Sequence, residues 1–187
     1  MKVFTERDAE KFLNKEGFDI IKTKFIKKES EIDKILKEFD KPVVMKVSGK
    51  KIVHKSEVNG IKKNIKSFQE AVKAFKYLKK IKGAQGVLIQ KQIKGKEFLL
   101  GLKKTEDFGY VIGFGKGGSK LQAENIEFRV CDINGVEDLS NNKNIQKILL
   151  KLCKLSKKYP KIKALDINPL ILEKNKAVIV DSQIVFE

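Results

Sequence analysis

The feature that most constrains the fold lies near the C-terminus. Leu165-Asp166-Ile167-Asn168-Pro169-Leu170 is followed, thirteen residues beyond Asn168, by Asp181 closing the apolar run Ala177-Val178-Ile179-Val180. Two β-rich runs joined by a turn as short as Lys174-Asn175-Lys176 read as neighbouring strands. Their ends then carry an amide oxygen and a carboxylate close together. These are hard oxygen donors of the kind Mg2+ selects, and Mg2+ usually brings phosphate with it. The pattern points to nucleotide chemistry.

A chain of 187 residues suffices for one substantial core or for two small lobes, and we expect a single functional module. Hydrophobic residues at 41% and charged residues at 35% exclude disorder and imply a heavily charged surface over a real core. Lys+Arg number 41 and Asp+Glu 24, so the net charge is 41 − 24 = +17, a field that attracts polyanions such as nucleic acid, nucleotides and acidic proteins. The lysines are scattered along the predicted helices, however, and there is no Trp and no aromatic-rich strand for base stacking. A solvated lysine surface is therefore expected rather than a nucleic-acid-binding protein. High Lys with few Cys, Met and Pro resembles the composition of thermophile proteins. Cys131 and Cys153 form no Cys-x-x-Cys pair and are expected to be reduced and packed. The Met1-Lys2-Val3-Phe4 start has no apolar signal core and no long apolar stretch occurs, so a cytoplasmic protein with no membrane partner is expected.

Along the chain, Thr5-x-x-Asp8 caps a helix carrying Ala9, Phe12 and Leu13 that ends at Gly17. Ser30-x-x-Asp33 opens a second helix, with Ile32, Ile35, Leu36 and Phe39 on one face, and Val43 to Val47 is a buried strand. Residues 48–64 read as a long polar loop, after which Ser67-x-x-Glu70 caps a third helix. Three β-rich runs, Gly86 to Gln90, Glu97 to Leu102 and Tyr110 to Phe114, suggest an antiparallel second sheet. The glycine-rich run Gly113 to Gly118 follows, then a helix with Ile145, Ile148, Leu149, Leu152 and Leu155, then the Asp166 strand and a hairpin.

Several residues stand out within this frame. Lys46 sits inside an apolar strand, where a cation is costly unless an anion pairs with it. His54 is the only histidine and lies in a polar loop. Arg129 can grip a carboxylate or phosphate with two prongs, although a surface ion pair is the equal alternative.

Taken together and in order, the opening helix from Thr5 to Gly17, Lys41-Pro42-Val43-Val44-Met45-Lys46-Val47, His54-Lys55-Ser56-Glu57-Val58-Asn59-Gly60-Ile61, Gly95-Lys96-Glu97, Phe114-Gly115-Lys116-Gly117-Gly118, Phe128-Arg129 and the Asp166–Asn168–Asp181 constellation resemble the ATP-grasp (beta) subunit of ADP-forming acetyl-CoA or acyl-CoA synthetases, relatives of the succinyl-CoA synthetase beta subunit. The resemblance covers nearly the whole chain. It implies an α/β, two-lobed ATP-grasp fold over 1–187, with lobes of about 1–90 and 91–187 and ATP or ADP with Mg2+ in the cleft. It implies that Lys46 reaches the nucleotide phosphates and that His54 accepts a phosphoryl group and passes it to ADP. It further implies that Gln90, Gln92 and Ile93 belong to the hinge holding the adenine, that Glu97 lies on the nucleotide side, and that Gly117 and Gly118 let backbone approach phosphate, with Arg129 nearby. Asn168 and Asp181 would coordinate Mg2+, with Asp166 close by. The implied partner is a separate CoA-binding alpha subunit in a hetero-oligomer.

The match has gaps. Gln122 and Asn125 stand where the family usually has acidic residues, Asn59 where it prefers glycine, and the stretch between Arg129 and Asn144 is shorter by about a helix and its turn. A nucleotide-binding or scaffolding subunit without chemistry therefore stands as an alternative, and a basic nucleic-acid-binding protein as a more distant one.

Overall fold

Thr5 turns the first sequence signal into a helix: its hydroxyl accepts from the Asp8 N–H at 3.3 Å, and α1 (Glu6–Lys15) runs to Gly17, whose φ of 79° only glycine adopts freely. The computed structural model describes residues 1–50, 52, 55–117, 126–132 and 135–187. They form two units, Ile21–Ile93 and Met1–Ile20 with Lys94–Glu187.

The contiguous unit holds a four-stranded antiparallel sheet. Its strands are β2 (Thr23–Ile26), β3 (Val43–Ser48), β4 (Ile61–Ile65) and β5 (Gly86–Lys91), in the order β2-β5-β3-β4. α2 (Ile32–Leu36) and α3 (Phe68–Lys79) cover one face, where Ile32, Leu36, Ala71, Phe75 and Leu78 meet Val43, Met45, Val47, Val87 and Ile89. α3 starts at a reciprocal cap in which Ser67 Oγ accepts from Glu70 N–H and Glu70 accepts from Ser67 N–H.

The other unit is built on a seven-stranded antiparallel sheet of β1 (Lys2–Val3), β6 (Lys96–Thr105), β7 (Gly109–Lys116), β8 (Ile126–Val130), β9 (Ile162–Glu173), β10 (Lys176–Ile179) and β11 (Ser182–Phe186). The order is β1-β11-β9-β6-β7-β8, with β10 also paired to β9. α1 and α4 (Lys143–Lys158) pack Ala9, Leu13, Ile145, Leu149 and Leu152 onto Leu100, Leu102, Ile112, Leu165, Ile167 and Ile184. Each such fully buried aliphatic side chain is worth about 1.5–3 kcal/mol of transfer free energy, so this face holds the unit together.

Four expectations change. β4 lies inside the stretch read as a loop; its lysines, typical of an edge strand, hide it from a hydrophobic pattern. The second helix is shorter and follows a single 3-10 turn, Glu29–Glu31, whose start is held by the Glu31 carboxylate accepting from Lys27 N–H at 2.9 Å and Lys28 N–H at 2.7 Å, so Ser30 does not cap it. The N-terminal helix, placed by the sequence reading in the first lobe, belongs with the C-terminal sheet because β1 pairs with β11 and Ala9 and Leu13 enter that core. Finally, Cys131 and Cys153 are not reduced: their Cα atoms lie 5.3 Å apart and they form a disulfide that ties the end of β8 to α4. The packing of α4 against the sheet brings together two cysteines that local sequence gives no reason to pair.

Candidate active site

Strand alternation sorts the residues of β9. Leu165 and Ile167 enter the core, so Asp166 and Asn168 stand on the opposite, outer face. One edge of β9 is shared by two strands, β10 along Leu170–Glu173 and β11 along Ile162–Ile167. The chain passes from one to the other at Val180 and Asp181. There the Asn168 N–H donates to the Asp181 carbonyl at 3.0 Å and the Val180 N–H to the Pro169 carbonyl at 3.1 Å. On the other edge Leu99 of β6 faces both Asn168 and Pro169, a bulge where Pro169 has no N–H to give to a ladder. Asn168 and Asp181 are thus held side by side by backbone bonds, with Asp166 two residues along the same face.

The neighbouring strands add to this face. Gly101 pairs with Asp166, and a Cβ built there would lie 3.3 Å from the Asp166 Oδ1. Glu97 is four residues back along β6, and its carbonyl accepts from the Gly117 N–H at 2.9 Å. Gly113, Gly115 and Gly117 continue the same face on β7, and a Cβ at Gly117 would come within 2.5 Å of the Phe98 backbone. Glycine at 117 is thus what lets the β6 backbone pack this closely against the end of β7. Phe128, 62% exposed, also lies on this face, across from Gly113. Arg129 does not: it pairs with the fully buried Ile112 and so emerges on the helix side, where it meets Glu127 at 3.6 Å and donates to the Phe128 carbonyl.

In the contiguous unit Lys46 is only 3% exposed, between Ile61 of β4 and Leu88 of β5. Gln90, fully buried, lies diagonally from it on the face away from the helices and donates to Thr23 Oγ1 at 2.9 Å. Gln92 makes a reciprocal pair with Asn64, accepting from the Asn64 N–H at 2.7 Å and donating to Asn64 Oδ1 at 2.8 Å, and Ile93 beyond it is half-buried. The Gly60 carbonyl accepts from Val47 N–H at 2.8 Å, so the loop that follows His54 is fastened next to Lys46. Asn59 in that loop has φ 51°, a conformation asparagine and glycine share, which explains how it replaces a glycine. His54 and Gly118, like Gln122 and Asn125, lie outside the described residues.

The donor set on the outer face suits a hard cation. Among the described residues no cluster of three or more His, Cys, Asp or Glu would cage a metal unaided. An amide oxygen and one or two carboxylates leave room for phosphate oxygens to complete an Mg2+ shell. Sequence reasoning named Phe128 only as part of the Phe128-Arg129 motif and missed Gly101 and Gln183, the latter paired with Asp166. The period-two spacing of Glu97, Leu99 and Gly101, and of Gly113, Gly115 and Gly117, was the signal available.

Known proteins resemble the chain over nearly its whole length. A family model described as ATP-grasp domain matches residues 1–140 and 132–186. The chain is 33% identical over 201 residues to acetate–CoA ligase [ADP-forming] II of Archaeoglobus fulgidus, covering 96% of this chain but 30% of that ligase. It is 28% identical over 209 residues to the beta subunit of acetate–CoA ligase [ADP-forming] I of Pyrococcus furiosus, covering 96% of this chain and 90% of that subunit. Among solved structures, an acetyl-coenzyme A synthetase of Ca. Korarchaeum cryptofilum superposes with a TM-score of 0.88 at 25% identity, covering 100% of this chain and 94% of that one. The chain belongs to the ATP-grasp domain family, and the relatives it matches over nearly its whole length are ADP-forming acetate–CoA ligases and a beta subunit of one.

Proposed function

We propose that this chain is the nucleotide-handling half of an ADP-forming acyl-CoA ligase, working with a CoA-binding partner subunit to interconvert acyl-CoA, phosphate and ADP with free acid, CoA and ATP. The observation that carries this reading is the pairing of Asn168 with Asp181, joined by a 3.0 Å backbone hydrogen bond beside a glycine-lined sheet face. Asn168 and Asp181 would hold Mg2+, with Asp166 adjacent; bound there, the ion offsets phosphate charge. Lys46, buried and cationic, pairs with the phosphates, which supplies the electrostatic stabilisation that dominates phosphoryl transfer. Gly117 and Gly118 would border the phosphates, with Glu97 on the nucleotide side, and the backbone of Gln90 to Ile93 would serve the base. An imidazole nitrogen of His54 attacks the phosphorus of an acyl phosphate, forming an N–P bond as the carboxylate leaves. A terminal oxygen of ADP then attacks that phosphorus, the N–P bond breaks, and ATP and neutral His54 result.

The Korarchaeum synthetase was solved with coenzyme A and Ca-AMPCP, a divalent ion with a nucleotide analogue, which supports this assignment. The beta-subunit naming of the Pyrococcus relative supports a separate partner. No helix among the described residues is long and apolar enough to cross a membrane, and we place the complex in the cytoplasm. A second reading, a subunit that binds nucleotide without turnover, is favoured by the amides at Gln122 and Asn125.

The deciding experiment incubates the purified chain with radiolabelled Mg-ATP, with and without the CoA-binding subunit, and assays acid-labile phosphate. Label that is lost in His54→Asn and weakened in Asp181→Asn is expected. Bound nucleotide with no label in either mixture leaves the second reading.

A further inference from the structure

α4 differs from the other helices in what it shows to solvent. Its exposed residues are Lys143, Lys147, Lys151, Lys154, Lys157 and Lys158, and the helix contains no Asp or Glu. By contrast, the exposed positions of α3 mix Phe68, Gln69, Glu70, Lys73, Lys76 and Tyr77. Spacings of four, four, three and four align Lys143, Lys147, Lys151, Lys154 and Lys158 into one stripe. Lys158 is bound to Glu16 at 2.7 Å, and Lys151 donates to the Gly17 carbonyl with its ammonium 5.5 Å over the Phe18 ring. Lys143, Lys147, Lys154 and Lys157 have no ion-pair partner among the described residues.

A groove of about 350 Å³ runs beside this stripe. Lys147, Lys151 and Lys154 line it together with Lys176 of β10, while its apolar lining is Leu150, half-buried, with Phe18, Ile148 and Ala177, each under a tenth exposed. The one carboxylate in it, Asp19, is already engaged by Lys176 at 3.7 Å. Asn144 donates to the Asn175 carbonyl at 2.9 Å and closes one end. Because α4 covers the core face of the sheet, the groove lies on the side opposite Asn168 and Asp181.

We propose that this groove docks an acidic peptide segment of a partner protein, with an apolar side chain inserted between the lysines. Unpaired like charges on one helix face are mutually repulsive, and an anionic partner relieves that repulsion. The apolar floor gives an anchor residue a place that a sugar–phosphate backbone would leave unused, and Phe18 is too buried to stack a base. The stripe extends past the groove to Lys143 and Lys158, farther than a small anion reaches. The proposal stands apart from the nucleotide chemistry, since it uses none of its residues.

The test titrates the full chain into a fluorescein-labelled peptide of glutamates flanking two leucines, read by anisotropy at roughly physiological salt, about 0.15 M. K147E/K154E/K176E is compared with K27E/K63E/K73E, which makes the same change in net charge on the other unit. Circular dichroism confirms that both fold. Groove reversal should weaken binding about 10-fold or more and the control less than about 3-fold, since contact pairs outweigh the diffuse field. Replacing the leucines by serine should weaken binding to the unaltered chain, a measurement that needs no variant. Equal losses in the two variants, no binding, or indifference to the leucines overturns the proposal. So does an oligonucleotide or tripolyphosphate that binds more tightly with the same groove dependence.

Discussion

The two faces of the seven-stranded sheet are made by the same strands and share almost no chemistry. On the side of α1 and α4, Leu100, Leu102, Ile112, Leu165, Ile167 and Ile184 are essentially excluded from water. On the other side the alternate positions carry Glu97, Gly101, Gly113, Gly117, Asp166 and Asn168, with Asp181 opposite Asn168. The period of two lets one strand hold the fold together with its odd residues and offer oxygen donors with its even ones. A polar residue on the outer face therefore carries little of the folding free energy and is available for binding.

The sharpest way to break this division is to change one residue on each face of adjoining strands. Leu165→Ala should lower unfolding free energy by about 3 kcal/mol in urea titrations, while the folded protein keeps its Mg-ADP affinity within a few-fold. Asp181→Asn should do the reverse, shifting stability by no more than about 0.5 kcal/mol and weakening Mg-ADP about 10-fold or more by calorimetry. If Asp181→Asn unfolds the unit, or Leu165→Ala abolishes binding at full stability, the faces are not independent. A smaller effect separates two outer-face glycines. At Gly117 an added Cβ would meet Phe98 backbone at 2.5 Å, which cannot move cheaply, whereas at Gly101 it meets the Asp166 carboxylate at 3.3 Å. Gly117→Ala should cost about 1–3 kcal/mol and Gly101→Ala clearly less, compared by thermal melting.

The smallest effect lies in the helix layer. Glu16 accepts from Lys158 at 2.7 Å and from the Tyr159 hydroxyl at 2.6 Å, and these bonds hold its carboxyl below its ordinary 4.5. Its contribution to stability is thus complete above that value and disappears as pH falls through the depressed folded value. Glu16→Gln should be less stable than the parent at neutral pH, with the gap closing on acidification below 4.5, as followed by circular dichroism. A gap that widens in acid would contradict the sign.

Features set by neighbours in sequence were legible beforehand. Thr5 and Ser67 announce their helices because a cap is a local bond, and α4 is fully specified by its periodic Ile and Leu. The nearness of Asn168 and Asp181 was legible for the same reason, since a tight turn links their strands. What escaped depends on partners distant in sequence. β4 looks polar because it is an edge, the union of Cys131 with Cys153 needs α4 in place, and the face taken by Arg129 follows only from the register of β7 with β8. Gly101 and Gln183 acquire meaning only once both are seen flanking Asp166.

One sheet contains both the first strand and the last, β1 against β11, while residues 21–93 close among themselves. During synthesis the inner stretch can settle as soon as it emerges from the ribosome, but the apolar face of α1 is not fully covered until β11 has been made. Its apolar side chains, Ala9, Phe12 and Leu13, thus wait for their core across the whole synthesis of residues 21–93.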